Sequence, residues 1–255
     1  MSHIIAVPTA AGSAGKTTTV VSLAAILGAQ GRSVIVVDGD PQGTATEWLG
    51  VDPEQVELDT GAVMLGRTTL AEATLETNVP GVQLVPAAPS LDGAVLEVGK
   101  LLGAEQRLRR ALDDAQADVV FIDCPGSISP FTIYALVAAE SVLTVTQPAP
   151  KELRGLPKLE ALVEEVRSYY NPTLTLVGVV PCITPPPNGG RLYTDAMTQL
   201  RDLYGDLVTP SIRRAARPPE ALSNSVPLPI WAPNEPVTAD YHAVADWLNE
   251  RRITA

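Results

Sequence analysis

The sequence predicts an α/β fold with parallel strands. The chain of 255 residues is 45% hydrophobic but only 4% aromatic, so a large core must consist mainly of Val, Leu, Ile and Ala. The apolar run 4–7 shows no alternation, which is typical of a central parallel strand buried on both faces. A small-residue loop and a helix-forming run follow it at once. We predict a single domain over residues 1–255.

The loop after this first strand reads AGSAGKTT at positions 11–18. Small residues between a strand and a helix allow successive backbone N–H groups to surround phosphate oxygens. Lys16 would then place a positive charge at the β- and γ-phosphates, and the Thr17 hydroxyl could ligate Mg²⁺. The following helix directs the positive end of its dipole at the same anion. The order strand, loop and helix therefore predicts a nucleotide site.

The spacing departs from the ordinary motif G-x-x-x-x-G-K-[ST], because its first glycine would fall at Ala10. The loop instead resembles the deviant Walker A box, K-G-G-x-G-K-T-[ST], of the ParA/MinD ATPases, which are P-loop NTPases. Ser13 replaces the second glycine of the box, and Ala11 replaces the signature lysine that in this family reaches the ATP of a partner protomer. The resemblance implies that ATP is bound by Gly12, Ser13, Ala14, Gly15, Lys16, Thr17 and Thr18.

A second box follows the predicted strand 33–38. From Asp38 onward the sequence resembles the D-x-D-P-Q-x-x-x-T segment of the same ATPases. A carboxylate at the end of a strand beside the phosphate loop can orient and activate the attacking water. The resemblance gives this role to Asp40, which we also expect near the Mg²⁺ ion. An acidic Asx turn would explain one aspartate but not the whole phrase.

The run 118–123 has the form of a Walker B strand. Four apolar residues place Asp123 at its carboxyl end, where the side chain can hold Mg²⁺ through a water. The plain alternative is a buried strand that happens to end in aspartate. The family usually has Pro-Pro after this aspartate, whereas here Cys124 precedes Pro125-Gly126.

Between these boxes the sequence predicts further regular structure. A strand is expected at 82–85, and Ser90 could cap one long helix that runs to about Ala115. The buried side of that helix would carry Leu101, Leu102, Leu108 and Leu112.

Two segments near the carboxyl terminus extend the resemblance. Residues 212–221 are similar to the family's I-P-R-N-x-R-x-x-E-A segment, without its Pro and Asn. By the same resemblance, the adenine pocket would include Pro181, Cys182 and Ile183, which follow a predicted buried strand. The whole pattern implies a doubly wound, mostly parallel sheet with helices on both faces.

Lys151 is a candidate replacement for the missing signature lysine. It opens the run KELRGL after the predicted strand 141–146, and the family has a similar R-G-L helix start. In a subset of carboxysome-positioning ATPases of this family the signature lysine is likewise absent, and a lysine in this later region is proposed to compensate. The resemblance therefore suggests a catalytic role for Lys151, with Arg154 as the other candidate. An exposed lysine in a first helical turn is the alternative.

The resemblance implies an ATP-dependent switch. ATP and Mg²⁺ would join two protomers, the homodimer would bind nucleoid DNA without sequence preference, and an adaptor of the ParB or carboxysome-adaptor type would stimulate slow hydrolysis. The cargo stays open between a plasmid or chromosome and a protein organelle such as the carboxysome. A formal net charge of −11 restricts DNA binding to a local patch. The expected contacts, unless they are simply solvated charges, are Arg191, Arg213, Arg214 and Arg217.

Other function classes fit the sequence less well. A MinD-like membrane switch needs a basic amphipathic tail, and 250–255 is too short for one, so we expect no membrane partner. Metabolic relatives such as dethiobiotin synthetase or the cobyrinate amidotransferases lack the D-x-D-P-Q phrase. A scaffold that binds nucleotide without hydrolysis would explain Ala11, but Lys16, Asp40 and Asp123 argue against it.

The two cysteines, Cys124 and Cys182, have no metal-ligand spacing and are expected to be buried, reduced thiols. No signal-peptide pattern precedes the first strand, and no apolar run reaches the about 18 residues of a membrane span. We therefore expect a cytoplasmic, nucleoid-associated protein.

Overall fold

The computed structural model describes residues 2–10, 12, 14–186 and 190–254. The predictions for Ala11 and Ser13 lie outside these described residues.

One sheet organises the described chain. Its strands are β1 (His3–Val7), β2 (Val34–Asp38), β3 (Leu75–Glu76), β4 (Val82–Val85), β5 (Val119–Asp123), β6 (Ser141–Thr146) and β7 (Thr175–Pro181). They lie in the order β3-β4-β2-β5-β1-β6-β7, and every neighbouring pair is parallel except β3 with β4. The carboxyl ends of β1, β2 and β5 therefore meet at the centre of one sheet edge, where ligands bind in such sheets.

The helices connect these strands. They are α1 (Lys16–Ala29), α2 (Thr44–Trp48), α3 (Thr60–Leu65), α4 (Leu70–Ala73), α5 (Leu91–Val98), α6 (Arg107–Leu112), α7 (Pro130–Ala138), α8 (Pro150–Leu153), α9 (Leu156–Tyr169), α10 (Arg191–Tyr204), α11 (Arg217–Ser223), α12 (Leu228–Trp231) and α13 (Pro236–Glu250). In the described part of the chain, none of them is both long enough and apolar enough to cross a bilayer.

The core lies on both faces of the sheet. Alternate residues of a strand point to opposite faces, so Ile5 and Val7 of β1 join the core beneath α1 and α13. Ile4 and Ala6 join the other core, beneath α7 and α9. Helices thus cover both faces, and the predicted doubly wound α/β class is confirmed.

The predicted long helix from Ser90 to about Ala115 is wrong. Two helices, α5 and α6, occupy this stretch, and a short 3₁₀ turn at Ala104–Gln106 separates them. Gly103 adopts a φ of +67°, in the left-handed region, which cannot continue an α-helix. Leu102 is consequently 99% exposed rather than buried, whereas Leu108 and Leu112 are buried as predicted.

Candidate nucleotide site

The first turn of α1 is arranged to receive an anion. Gly15 precedes it with a φ of +88°, no side chain of the described residues caps the helix start, and no acidic residue lies in the first turn. The first backbone N–H groups therefore keep their donor capacity and the dipole favours a negative charge. A Cβ atom at Gly15 would lie 2.6 Å from the Sγ atom of Cys182, so the position also requires glycine for space.

Lys16 and Asp123 form an ion pair below this turn. The Lys16 Nζ atom lies 2.5 Å from Asp123 Oδ1 and 3.3 Å from Thr17 Oγ1, and both charged side chains are buried. Burial alone would lower the pKa of Lys16, but the Asp123 carboxylate outweighs it and raises that pKa. Burial raises the pKa of Asp123, against the opposing effect of Lys16 and a hydrogen bond from Thr17.

The donor set at Asp123 fits a magnesium ion that is shared with a nucleotide. Asp123 Oδ2 is buried and accepts no hydrogen bond from the described residues, so this carboxylate oxygen can receive a metal-bound water. Among the residues that the structure describes, no group of three or more His, Cys, Asp and Glu side chains could hold a metal by itself. Mg²⁺ commonly binds one or two protein oxygens together with phosphates and waters. Thr17, Asp40 and Asp123 are the residues that would hold it here.

The two aspartates of the second box have different environments. Asp38 lies beside Asp123 in the parallel ladder of β2 and β5 and is fully buried. Its pKa is raised to about 7, first by burial and then by the Asp123 charge, although hydrogen bonds from Thr46 and Asp40 oppose the shift. Asp40 is half-buried, lines the cavity described next and accepts a hydrogen bond from Gln42 N at 3.1 Å. Asp40 is therefore the aspartate that can reach a bound ligand.

A cavity of about 460 Å³ extends from this phosphate end to an apolar end. The predicted residues that line it are Ala14, Gly15, Lys16, Thr17, Thr18, Asp40, Cys182 and Ile183. Gly12 lies beside Gly126 at the rim, since a Cβ atom at Gly12 would be 3.6 Å from the Gly126 carbonyl oxygen. Pro181 lies within β7 and is not among the described lining residues; its carbonyl instead accepts a hydrogen bond from Ile212 N at 2.8 Å.

Most residues of the apolar end were not predicted from the sequence. The further residues that line it include Trp48, Ile212, Ala215, Pro218, Pro219, Leu222, Val237 and Tyr241. The signal available was the likeness of 212–221 to a family segment, which we interpreted only as a source of arginines.

Two contacts hold together the segments that form this end of the cavity. Thr184 N donates to Ile212 O at 2.9 Å, and Arg213 donates to Asp240 through its backbone N, Nε and Nη2 atoms at 3.0, 2.6 and 2.7 Å. Ile183 has a φ of +56°, an unusual conformation for a β-branched residue. Strain of this kind persists where surrounding contacts fix the backbone.

The arginines predicted to bind DNA are mostly paired with carboxylates. Arg213 is held by Asp240, Arg217 by Glu220 and Glu235, and Arg191 lies 3.7 Å from Asp195. Arg213 and Arg214 line the nucleotide cavity. DNA contact by these residues stays a prediction, and Arg213 and Arg217 would have to exchange a carboxylate for a phosphate.

Lys151 is exposed on α8. The turn that follows α8 packs on the start of the phosphate loop, because a Cβ atom at Gly155 would lie 2.7 Å from the Cβ atom of Ala10. Lys151 is thus four residues before Gly155, which packs against Ala10, the residue that precedes Ala11 in the sequence. Its predicted catalytic role stays a prediction.

Comparison with known proteins identifies the family. A family model described as an AAA domain matches residues 2–176. The chain is also 38% identical over 243 residues to the chromosome-partitioning ATPase Soj of Thermus thermophilus, a match that covers 95% of this chain and 93% of Soj. The chain belongs to the ParA/MinD family of ATPases. The membership predicted from its nucleotide boxes is confirmed.

Solved structures agree with this fold. Cobyrinic acid a,c-diamide synthase from Mycobacterium smegmatis, with bound ADP and magnesium, gives a TM-score of 0.86 at 31% identity and covers 99% of this chain and 96% of its own. Apo McdA from Cyanothece gives a TM-score of 0.89 at 20% identity, over 97% of this chain and 100% of its own, which supports the fold alone.

Proposed function

We propose that this ParA-like ATPase is an ATP-dependent dimerising switch that positions or segregates a cargo. The observation that carries the proposal is that Lys16 and Asp40 line one end of a single cavity and that the buried Asp123 pairs with Lys16 there. This arrangement occurs in a chain that is 38% identical to a chromosome-partitioning ATPase over nearly its whole length.

Each residue at the phosphate end has a distinct part in the proposed reaction. The N–H groups at the start of α1 and the Lys16 ammonium bind the β- and γ-phosphates and neutralise their charge. Thr17, Asp40 and Asp123 would hold Mg²⁺, which supplies further charge neutralisation at the phosphates when it is bound. Asp40 lines the cavity and accepts a hydrogen bond from the attacking water, which orients the water toward the γ-phosphate. One carboxylate without a further activating group fits slow hydrolysis, which an adaptor would accelerate.

Lys151 is proposed to act in place of the missing signature lysine. It is exposed, and within the described ranges it forms no ion pair, so its charge is available to a nucleotide. The contact of Gly155 with Ala10 keeps its segment against the loop that holds Ala11. Arg154 is exposed on the same short segment and is the second candidate.

The test is ATP-dependent dimerisation measured by light scattering, together with ATP hydrolysis. We expect the wild type to dimerise with ATP, Asp40→Ala to stay a dimer that does not hydrolyse, and Lys151→Ala to stay a monomer. Lys158→Ala is the matched control, because Lys158 is equally exposed at the start of α9. A wild type that binds ATP and remains monomeric would contradict the switch. Normal dimerisation and hydrolysis by Lys151→Ala would show that Lys151 does not replace the signature lysine. The same measurements on Arg154→Ala would then show whether Arg154 does.

DNA binding and location form the finer part of the proposal. We propose that the ATP-bound dimer binds nucleoid DNA in the cytoplasm through local arginines. Arg214 is exposed and has no ion pair among the described residues, so Arg214→Ala should weaken binding to random duplex DNA more than Arg213→Ala. The affinity should fall steeply as salt rises. Equal binding by the ATP-bound and ATP-free protein would argue against a nucleotide-controlled DNA contact.

The cargo proposed first is a plasmid or chromosome with a ParB-type adaptor. The absence of the signature lysine at position 11 supports, as the alternative, a protein organelle such as the carboxysome. The two cargoes are distinguished by which purified adaptor, of the ParB type or of the carboxysome-adaptor type, stimulates ATP hydrolysis.

A second candidate activity is amide synthesis on a corrin, which the likeness to cobyrinic acid a,c-diamide synthase favours. Release of ammonia from glutamine by a cysteine nucleophile would need an accessible thiolate. Cys124 and Cys182 are both buried, and burial raises their pKa values to about 12 and about 11. Incubation with cobyrinic acid, ATP, and glutamine or ammonia tests this candidate. Formation of the amide product would contradict the proposed switch function. An ATP hydrolysis rate that does not change with cobyrinic acid would support the switch function.

A further inference from the structure

Thr46 is a motif residue that the reaction outlined above does not use. It occupies the last position of the D-x-D-P-Q-x-x-x-T segment, lies in α2 and is fully buried. Its hydroxyl donates to Asp38 Oδ2 at 2.8 Å and accepts from Ala87 N at 2.9 Å, and its backbone N also donates to Asp38 Oδ2 at 2.8 Å. One side chain therefore joins the end of β2, the helix α2 and the residues that follow β4.

Asp38 connects Thr46 to the proposed catalytic aspartate. The two oxygens of its carboxylate are divided between them, since Oδ2 accepts from Thr46 and Oδ1 accepts from Asp40 N at 3.1 Å. The Asp40 carbonyl accepts from Gly43 N at 2.8 Å, and the Asp40 side chain accepts from Gln42 N. The rotation of the Asp38 carboxylate therefore fixes the backbone from which the Asp40 side chain projects.

The rest of the loop is held from the other side. Gly39 N donates to Asp123 O at 2.9 Å, and Gly39 lies so close to the ring of Phe131 that no side chain fits there. These contacts fix Gly39 but not the orientation of the peptide of Asp40. Among the contacts on the described residues, the N–H group of Asp40 is bound by Asp38, whose orientation depends on Thr46.

We propose that Thr46 is a positioning residue that aims the Asp40 carboxylate through Asp38. Thr46 is not among the described residues that line the cavity, so it acts on Asp40 and not on the nucleotide. The inference rests on the proposed role of Asp40 in hydrolysis. A misplacement of a catalytic group by about 1 Å can lower a rate about a hundredfold, so a single buried hydroxyl is sufficient for a measurable effect.

The experiment compares Thr46→Val, Thr46→Ser and wild type in single-turnover ATP hydrolysis, ATP affinity and amide hydrogen exchange over 38–46. We expect Thr46→Val to lower the hydrolysis rate at least fivefold, to leave the ATP dissociation constant within twofold, and to raise exchange at the Asp40 amide at least fivefold. Thr46→Ser keeps the hydroxyl and should restore all three values to within twofold of wild type.

Thr209→Val is the matched control. Thr209 is also buried, its hydroxyl donates at 2.8 Å to the Pro210 carbonyl, and it is not among the described residues that line the cavity. Its hydrolysis rate should equal that of the wild type. If Thr46→Val does not fold, Thr46→Ala, which adds no volume, carries the same expectations.

The outcomes separate this inference from the function on which it rests. Normal hydrolysis by a folded Thr46→Val variant, while Asp40→Ala is inactive, overturns the positioning role alone. Normal hydrolysis by Asp40→Ala overturns the proposed catalytic assignment. A Thr46→Val variant that loses ATP affinity as much as rate would show a general structural role and would also overturn the inference.

Discussion

The two ends of the nucleotide cavity are built in different ways. The phosphate end consists of charged side chains that stand at the ends of neighbouring strands or in the first turn of α1, and each belongs to a compact motif. The apolar end is assembled from segments around 182–184, 212–222 and 237–241, which have no common motif. They are joined by the backbone hydrogen bond from Thr184 to Ile212 and by the Arg213–Asp240 contact. The charged groups of the phosphate end are therefore determined by short motifs, whereas the shape of the apolar end depends on how segments that are distant in sequence pack together.

The largest expected effect concerns the phosphate end alone. Lys16→Ala removes the cation of a buried pair and leaves the fully buried Asp123 without its partner. ATP affinity should fall by about one to two orders of magnitude, as expected for the loss of a charge-assisted contact of about 1.5–3 kcal/mol. Isothermal titration calorimetry with ATP and Mg²⁺ measures this loss. An affinity within a factor of two of wild type would mean that the phosphates are bound elsewhere.

A second substitution tests whether the packing of the phosphate loop depends on the apolar end of the cavity. Gly15→Ala places a Cβ atom 2.6 Å from Cys182 Sγ and requires alanine to adopt a φ of +88°. We expect a loss of unfolding free energy of about 2 kcal/mol from overpacking and backbone strain, together with weaker ATP binding. Adding Cys182→Ala should recover the part that is due to the clash but not the part that is due to φ. Chemical denaturation of the single and double variants measures both parts, and strictly additive losses would show that the two residues do not press on each other.

A smaller effect is expected from the contact that holds the apolar end. Arg213 is about half exposed while Asp240 is largely buried, so the pair is partly screened by solvent. A double-mutant cycle with Arg213→Ala and Asp240→Ala should give a coupling energy of about 0.5–1 kcal/mol in unfolding free energy. ATP affinity should fall a few-fold in both single variants, with no effect on the hydrolysis rate of bound ATP. A zero coupling would make the contact incidental.

The smallest effect concerns the thiols. Because the pKa values of Cys124 and Cys182 are raised to about 12 and about 11 by burial, neither should react with iodoacetamide at pH 8 in the folded protein, as intact-mass spectrometry would show. The folded pKa lies above the unfolded value of 9.0, so the associated stability is present below pH 9 and is lost as the pH rises toward 11 and 12. Cys182→Ala should therefore weaken the decline of unfolding free energy above pH 9. Rapid alkylation at pH 8 would contradict the burial.

The sequence predicted the parallel sheet, and the positions of Lys16, Asp40 and Asp123 at its carboxyl edge, because both depend on short-range patterns. Unbroken apolar runs identify buried parallel strands, and a strand that ends in a carboxylate places that group at the ligand edge whatever lies around it. The strand 82–85 and the position of Asp123 follow directly from such patterns. The roles of the individual site residues stay predictions until the variants above are measured.

The remainder depended on information that no local pattern contains. The helix predicted over 90–115 failed because the apolar spacing continues through Gly103, whose left-handed φ of +67° cannot continue an α-helix. Tyr241 was not among the predicted site residues, and the packing of α13 against α1 brings it to the cavity. The arginines of 213–217 were interpreted by charge alone. Asp240, which pairs with Arg213, and Glu235, which pairs with Arg217, lie more than 15 residues further along the chain, whereas Glu220, the other partner of Arg217, is near in sequence.

The cavity also has a consequence for the lifetime of the protein. Its walls come mainly from residues 9–48 and 182–241, so a bound nucleotide bridges the first and last parts of the chain like a removable cross-link. A ligand present at a hundred times its dissociation constant adds about 2.7 kcal/mol to the native state. Proteases that act on transient opening of the carboxyl-terminal segments would then cut about a hundredfold more slowly. Nucleotide occupancy would thus set how long each copy survives, in addition to its part in the proposed switch.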